Sequence, residues 1–184
     1  MYLYGRDGKL GMCASDGTKL FHDSISYDGE DFAVVLPSRC FKVLLNVLKS
    51  DKVTMRVNQN SALFIANDSE LYCRLIDLKF PDFNRVIPKN NDINVNVNKS
   101  ELLDSVNRAS LMSNKLTSML KLSVSDSIMN IEGSDLDFST KADEKVDVTK
   151  DGNDITIGVK GTFFLDCLNV ISSENVVLSF SQPS

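Results

Sequence analysis

The sequence predicts an α+β fold built from repeated units of one helix plus antiparallel strands. Two observations carry that prediction. Three stretches read strand, helix, strand, opening at Phe32, Ile93 and Ile155, roughly 60 residues apart, and a fixed internal period of this kind marks a repeated supersecondary unit. Between the helices lie short runs of alternating apolar residues, separated by Asp, Gly and Ser turn signals, the mark of half-buried antiparallel strands.

The opening segment, Met1 to Leu20, reads as a meander: YLYG, a turn at Arg6-Asp7-Gly8, KLGMCA, and a second turn at Ser15-Asp16-Gly17. The first repeat is DFAVVLPSRCFKVLLNVLKSDKVTMRV, with Pro37 placed as an early helical residue. Phe41, Leu44, Leu45 and Leu48 fall at i, i+3, i+4 and i+7, a core-facing stripe. The second repeat, DINVNVNKSELLDSVNRASL, continues into SMLKLSVS. Ser100 is its predicted N-cap, and Leu102, Leu103 and Val106 form its stripe. The third, NDITIGVKGTFFLDCLNVISSENVVLSF, carries Phe163, Phe164, Leu165, Leu168 and Ile171. Predicted strands contain Leu120-Leu122-Val124, Ile128-Asn130 with Ile131, and Val146-Val148, with turns at Asp126-Ser127, Gly133-Ser134 and Asp151-Gly152.

Composition bounds the function. A chain of 184 residues can bury a sizeable core in one or two domains. No apolar run approaches the roughly 20 residues that span a bilayer, and MYLYGRDGKL has no basic-then-apolar signal. Cys13, Cys40, Cys73 and Cys167 are scattered through apolar segments, which predicts reduced, buried thiols in a cytoplasmic protein. His22 is the only histidine and no Cys-x-x-Cys occurs, so no zinc site or histidine triad is expected. No phosphate-binding glycine motif occurs, and no cofactor is expected. The remaining catalytic reading is a carboxylate site such as Asp16 with Asp82, against which stands a fold with its acids in polar connecting text. The net charge of -5 excludes indiscriminate nucleic-acid binding unless the bases gather on one face. They do gather around the first helix (Arg39, Lys42, Lys49 and Lys52, against Asp51), less so around the second (Lys99, Arg108 and Lys115, against Glu101 and Asp104).

The most distinctive stretch is Arg74 to Pro88, RLIDLKFPDFNRVIP, which holds two of the four prolines. Pro81 and Pro88 bias Phe80 and Ile87 to extended conformations and cannot donate ladder hydrogen bonds, so the stretch reads as a stiff connector. It closely resembles RLIDGKFPDYxRVIP, the segment joining the second and third domains of the bacterial sliding clamp, the beta subunit of DNA polymerase III. Leu78 stands for the usual Gly and Phe83 for the usual Tyr. CASDGTKL likewise resembles that family's ATDGHRL, with Thr18 and Lys19 in place of His and Arg; lysine keeps the charge but loses the bidentate fork.

The resemblance implies a DNA-clamp (processivity) fold and no catalysis. Residues 1–88 would be the later part of the second domain, with the connector at 74–88, and residues 89–184 most of the third. The family's first domain and closing segment have no counterpart, so a partial clamp is expected. The implied function is to tether DNA polymerase to duplex DNA, the helix bases meeting phosphates without reading sequence. Arg39, Lys42, Lys99, Arg108 and Lys115 would face DNA. A peptide-binding pocket for polymerase and clamp-loader motifs would use Ser15, Gly17, Thr18, Lys19, Leu20, Pro81, Arg85, Val86 and Phe163. RASLMSNK resembles the subunit-contact region of the family's homodimeric ring, with Leu111 and Met112 as contacts. The competing reading is a clamp-fold adaptor that captures peptides and never forms a ring.

Overall fold

The computed structural model describes residues 1–47 and 52–181. Leu48, Lys49 and Asp51, used above, lie outside the described residues. The chain divides into two compact units, Met1–Val86 and Ile87–Ser184.

The first unit contains a four-stranded antiparallel sheet of order β3-β2-β1-β4, from β1 (Tyr2–Arg6), β2 (Lys9–Ser15), β3 (Leu20–Ser26) and β4 (Phe32–Val35). Asp7 and Gly8 both take positive φ (53° and 71°), the conformation of the tight β1–β2 hairpin turn. Helix α1 (Ser38–Val47) follows, then a three-stranded sheet of β5 (Thr54–Val57), β6 (Ser61–Ala66) and β7 (Ser69–Arg74). Leu3, Val34, Leu36, Cys40, Leu44, Ala62 and Phe64 form its core.

In the second unit one antiparallel sheet has the order β12-β9-β10-β11-β8-β13. Its strands are β8 (Ile93–Asn98), β9 (Met119–Ser125), β10 (Ile128–Asp135), β11 (Thr140–Asp151), β12 (Ile155–Lys160) and β13 (Asn175–Phe180). Helices α2 (Lys99–Leu111) and α3 (Gly161–Val170) pack against each other, and α2 lies across β8 to β11. Strand β11 changes neighbour along its length: its start pairs with β10, and Val148–Asp151 pair with β8. All three predicted strand–helix–strand copies are therefore present, in an α+β arrangement.

Several local expectations are corrected. The buried positions of α1 are Cys40 and Leu44, while Leu45 is 80 % exposed. At 100° per residue Leu45 points away from the side on which Cys40 and Leu44 stack. Pro37 lies just before α1, its carbonyl accepting from the Cys40 amide at 3.0 Å. The N-cap of α2 is Asn98, not Ser100: its side chain accepts from the Ser100 and Glu101 amides. In β10 the inward residues are Met129 and Ile131, and Ile128 is exposed, so the parity is the reverse of Ile128-Asn130. Gly133 is not in a turn but within β10. A Cβ there would stand 2.1 Å from the Ala109 carbonyl oxygen, so the glycine is what lets α2 approach the sheet. Cys73 is only partly buried and Cys167 is exposed.

Candidate functional site

The Ser15–Leu20 segment is a self-bonded turn. Asp16 Oδ1 accepts from the Thr18 amide (3.0 Å), the Thr18 hydroxyl (2.7 Å) and the Lys19 amide (3.0 Å). The Ser15 hydroxyl donates to the Lys19 carbonyl at 2.9 Å and accepts from the Gly17 amide at 3.1 Å. Gly17 takes φ 90°, which a side chain would strain. Hydrogen bonds from Thr18, then from the Lys19 amide, lower the Asp16 carboxyl to about 2. The turn's backbone amides and the Ser15, Asp16 and Thr18 side chains thus bond one another.

The connector is anchored to this same sheet by aromatic rings. Phe80 stacks on Tyr2 with centroids 5.0 Å apart and planes 8° from parallel. Phe83, only 5 % exposed, stacks on His22 at 4.9 Å and lies 6.0 Å from Tyr4. The Tyr4 hydroxyl and His22 Nε2 are 2.8 Å apart. Tyr4 reaches that far because residue 11 is glycine: a Cβ there would be 2.2 Å from the tyrosine ring. The β2–β3 register pairs Cys13 with His22 and Ser15 with Leu20, so His22 and Leu20 share a face of β3. Docking Phe83 on His22 therefore brings the 81–86 segment to the face that carries Ser15 and Leu20.

Within this segment a 3-10 turn runs over Phe83–Arg85, capped by the Asp82 side chain on the Asn84 amide. Arg85 Nε is 3.2 Å from Asp82 Oδ2, with both side chains largely exposed, a pair worth little in water. Pro81 is exposed, Val86 is 66 % exposed and Leu20 is half-buried, so Val86 is not a core residue. Ser15, Gly17, Thr18, Lys19, Leu20, Pro81, Arg85 and Val86 all belong to the first unit, and Phe83 on His22 is the contact that links their two segments. Phe163 belongs to the second unit, half-buried in the first turn of α3, with Lys160 Nζ 4.7 Å from its ring centroid.

The helix bases are in different states. Arg39 and Lys42 are exposed on α1. Lys99 donates to the Ile171 carbonyl at 2.7 Å, at the end of α3, where a cation suits the helix dipole. Arg108 Nη2 is 2.7 Å from Glu144 Oε2 and 3.0 Å from the Ser105 hydroxyl. Each member of the Arg108–Glu144 pair holds the other more firmly charged. Glu101, Asp104 and Asp147 line the same surface depression of about 340 Å³ as Arg108 and Lys145, giving a mixed field. Lys115 is exposed in the loop after α2.

That loop ends in an apolar surface. Leu111 is 66 % and Met112 40 % exposed, so neither completes the core face of α2. Leu116 (90 %), Leu136 (91 %) and Phe138 (77 %) add to it. Asn114 Nδ2 to Asp135 Oδ2 (3.1 Å) and Thr140 Oγ1 to the Met112 carbonyl (3.1 Å) hold the loop beside the β10–β11 turn. Sequence reasoning missed Leu116, Leu136 and Phe138; the available signal was large apolar residues among turn formers. Among the described residues no cluster of three or more His, Cys, Asp or Glu could hold a metal, and no helix is long and apolar enough to cross a membrane.

Residues 84–184 match the family model described as DNA polymerase III beta subunit, C-terminal domain. The chain is 27 % identical over 185 residues to a beta sliding clamp of Streptococcus pneumoniae, covering 97 % of this chain and 49 % of that one. With the beta sliding clamp of Escherichia coli it shares 29 % over 179 residues, covering 95 % and 49 %. A crystal structure of a Pseudomonas aeruginosa DNA polymerase sliding clamp superposes with TM-score 0.94 at 26 % identity, over 99 % of this chain and 52 % of that one. Another structure from that organism, described as bound to griselimycin, has TM-score 0.93 at 26 % identity, covering 99 % and 50 %. The chain spans about half the length of the curated relatives it matches. With more than half of its residues inside the family model, this α+β chain belongs to the DNA polymerase III beta subunit, or sliding clamp, family.

Proposed function

We propose that the protein acts as a sliding-clamp processivity factor, tethering DNA polymerase to duplex DNA and capturing the short peptides by which polymerases and clamp-loader subunits dock. In this reading residues 1–88 correspond to the later part of the family's second domain and 89–184 to most of its third. The observation that carries it is the ring stack of Phe83 on His22, which joins the two most family-like segments of the first unit into one surface. Leu20 and Val86 supply apolar area to that surface, and Arg85 a cation at its rim. Burial of apolar groups gives such recognition its affinity, at about 25 cal/mol per Å² before ordering costs. Binding, not turnover, is the activity.

The bases Arg39, Lys42 and Lys115 fit weak, salt-sensitive contacts with phosphates, the kind compatible with sliding. Lys99 and Arg108 would contribute alongside the partners they already hold. Leu111 and Met112, widened by Leu116, Leu136 and Phe138, are the surface through which a ring would close on a further subunit. Topological tethering then keeps the polymerase at high effective concentration.

The test is titration with a peptide carrying a polymerase clamp-binding motif, with griselimycin as a second probe. Leu20→Ala and Arg85→Glu are each expected to weaken peptide binding about ten-fold, and Phe163→Ala tests the assignment of Phe163, which rests on family resemblance. Micromolar binding indifferent to both Leu20→Ala and Arg85→Glu would overturn the pocket. The mixed charge around Arg108 favours a second reading, a clamp-fold adaptor that captures peptides without encircling DNA. Retention on closed circular DNA, lost on linearisation, distinguishes the ring from the adaptor.

A further inference from the structure

Two cysteines that the proposed function does not use meet in the first unit. Cys40 lies in the first turn of α1 and is buried in the core cluster; Cys73, on β7, is partly buried and packs against the same cluster. Helix α1 packs on β7, and Cys73, whose Sγ lies 3.6 Å from the Arg74 carbonyl, is the register partner of the fully buried Ala62 and so faces the cluster that holds Cys40. Thirty-two residues separate them, including β5 and β6.

We propose that Cys40 and Cys73 are a redox pair that closes to a disulfide on meeting a small-molecule disulfide such as oxidised glutathione, fastening the helix that carries Arg39 and Lys42 to the strand that enters the connector. Cys73, the more accessible, reacts first. Its thiolate attacks one sulfur of the oxidant, the S–S bond breaks, and one glutathione thiolate leaves. The Cys40 thiolate then attacks Cys73 Sγ in the mixed disulfide and displaces the second glutathione. The protein thiols give up two electrons and two protons, and the oxidant becomes two molecules of glutathione. Burial, then the neighbouring Cys73 sulfur, pushes the Cys40 thiol up to about 12, so its thiolate is scarce at neutral pH. The second step is therefore slow and accelerates as pH rises. In a reducing environment the pair stays open.

The experiment uses the full chain with Cys167→Ser, which removes the exposed thiol and leaves Cys13, Cys40 and Cys73. It is treated with oxidised glutathione at neutral and mildly alkaline pH, alkylated under denaturing conditions, digested and weighed. The expected result is a 40–73 cross-linked peptide pair, loss of two of the three thiols, faster closure at the higher pH, and a thermal midpoint raised by roughly 5–10 °C. Cys40→Ser should stall as a glutathione adduct on Cys73, and Cys73→Ser should give no cross-link. A persistent adduct on Cys73 without cross-link in the parent chain would overturn the proposal. So would a cross-link through Cys13, or three thiols intact after oxidation.

Discussion

Three donors converge on one oxygen of Asp16, and that convergence sets its acid response. The folded carboxyl titrates at about 2 instead of its ordinary 3.8. A depressed value means that ionisation supports the turn at any pH above the ordinary one, and that the support fades as pH falls toward the folded value. The Thr18 and Lys19 amide resonances should hold their positions down to about pH 3 and shift with a midpoint near 2; a midpoint at 4 would show that the bonds do not persist in solution. Asp16→Ala should lose the titration and weaken peptide binding at neutral pH several-fold. Asn98 makes the analogous argument for α2. It stands two residues ahead of the serine that the sequence pattern favours, and Asn is as good a cap as Ser, so the pattern alone could not choose between them. Asn98→Ala should cost about 1 kcal/mol in urea unfolding, whereas Ser100→Ala should cost little.

At the scale of elements, the repeat was legible because strand and helix periods alternate three times and each copy obeys them. What remained illegible was rotation about the helix axis and parity along a strand. Leu44 and Leu45 are chemically identical, and an apolar stripe that holds both is as regular as one that holds Cys40 and Leu44. The equivalent position in α2 decides the matter after the fact: when Ser38 is aligned with Ser100, Leu45 falls on Asn107, which is exposed. Leu44→Ala should therefore cost about 2–5 kcal/mol by leaving a cavity, while Leu45→Ala should stay within about 0.5 kcal/mol. Equal losses would restore the original stripe. Gly133 was illegible for a different reason. Glycine followed by serine reads as a turn, and only the approach of α2 reveals that the missing side chain is a packing requirement. The candidate site divides the same way. The connector and the Ser15–Leu20 turn were readable from their wording, but the His22–Phe83 stack that joins them depends on strand register.

At the scale of the molecule, the two units differ in how much they bury. Among the described residues, the second unit's core cluster contains sixteen buried residues drawn from six strands and two helices, against seven in the first. Apolar burial is the main favourable term in folding, so the larger cluster should open last. Native-state hydrogen exchange in rising urea is expected to release β5 to β7 and α1 first, and β8 to β11 with α2 at clearly higher urea. Ligand linkage adds a directional test. A peptide that binds the Leu20–Val86 surface stabilises only states in which that surface is formed, by about 2.7 kcal/mol at a hundred times its Kd. Exchange at the turn of residues 15–20 and at the 83–86 segment should slow accordingly, because the proposed pocket requires Phe83 on His22. Protection that rises in β8 to β11 while the 15–20 turn is unaffected would place the peptide elsewhere and separate the Phe83–His22 stack from recognition.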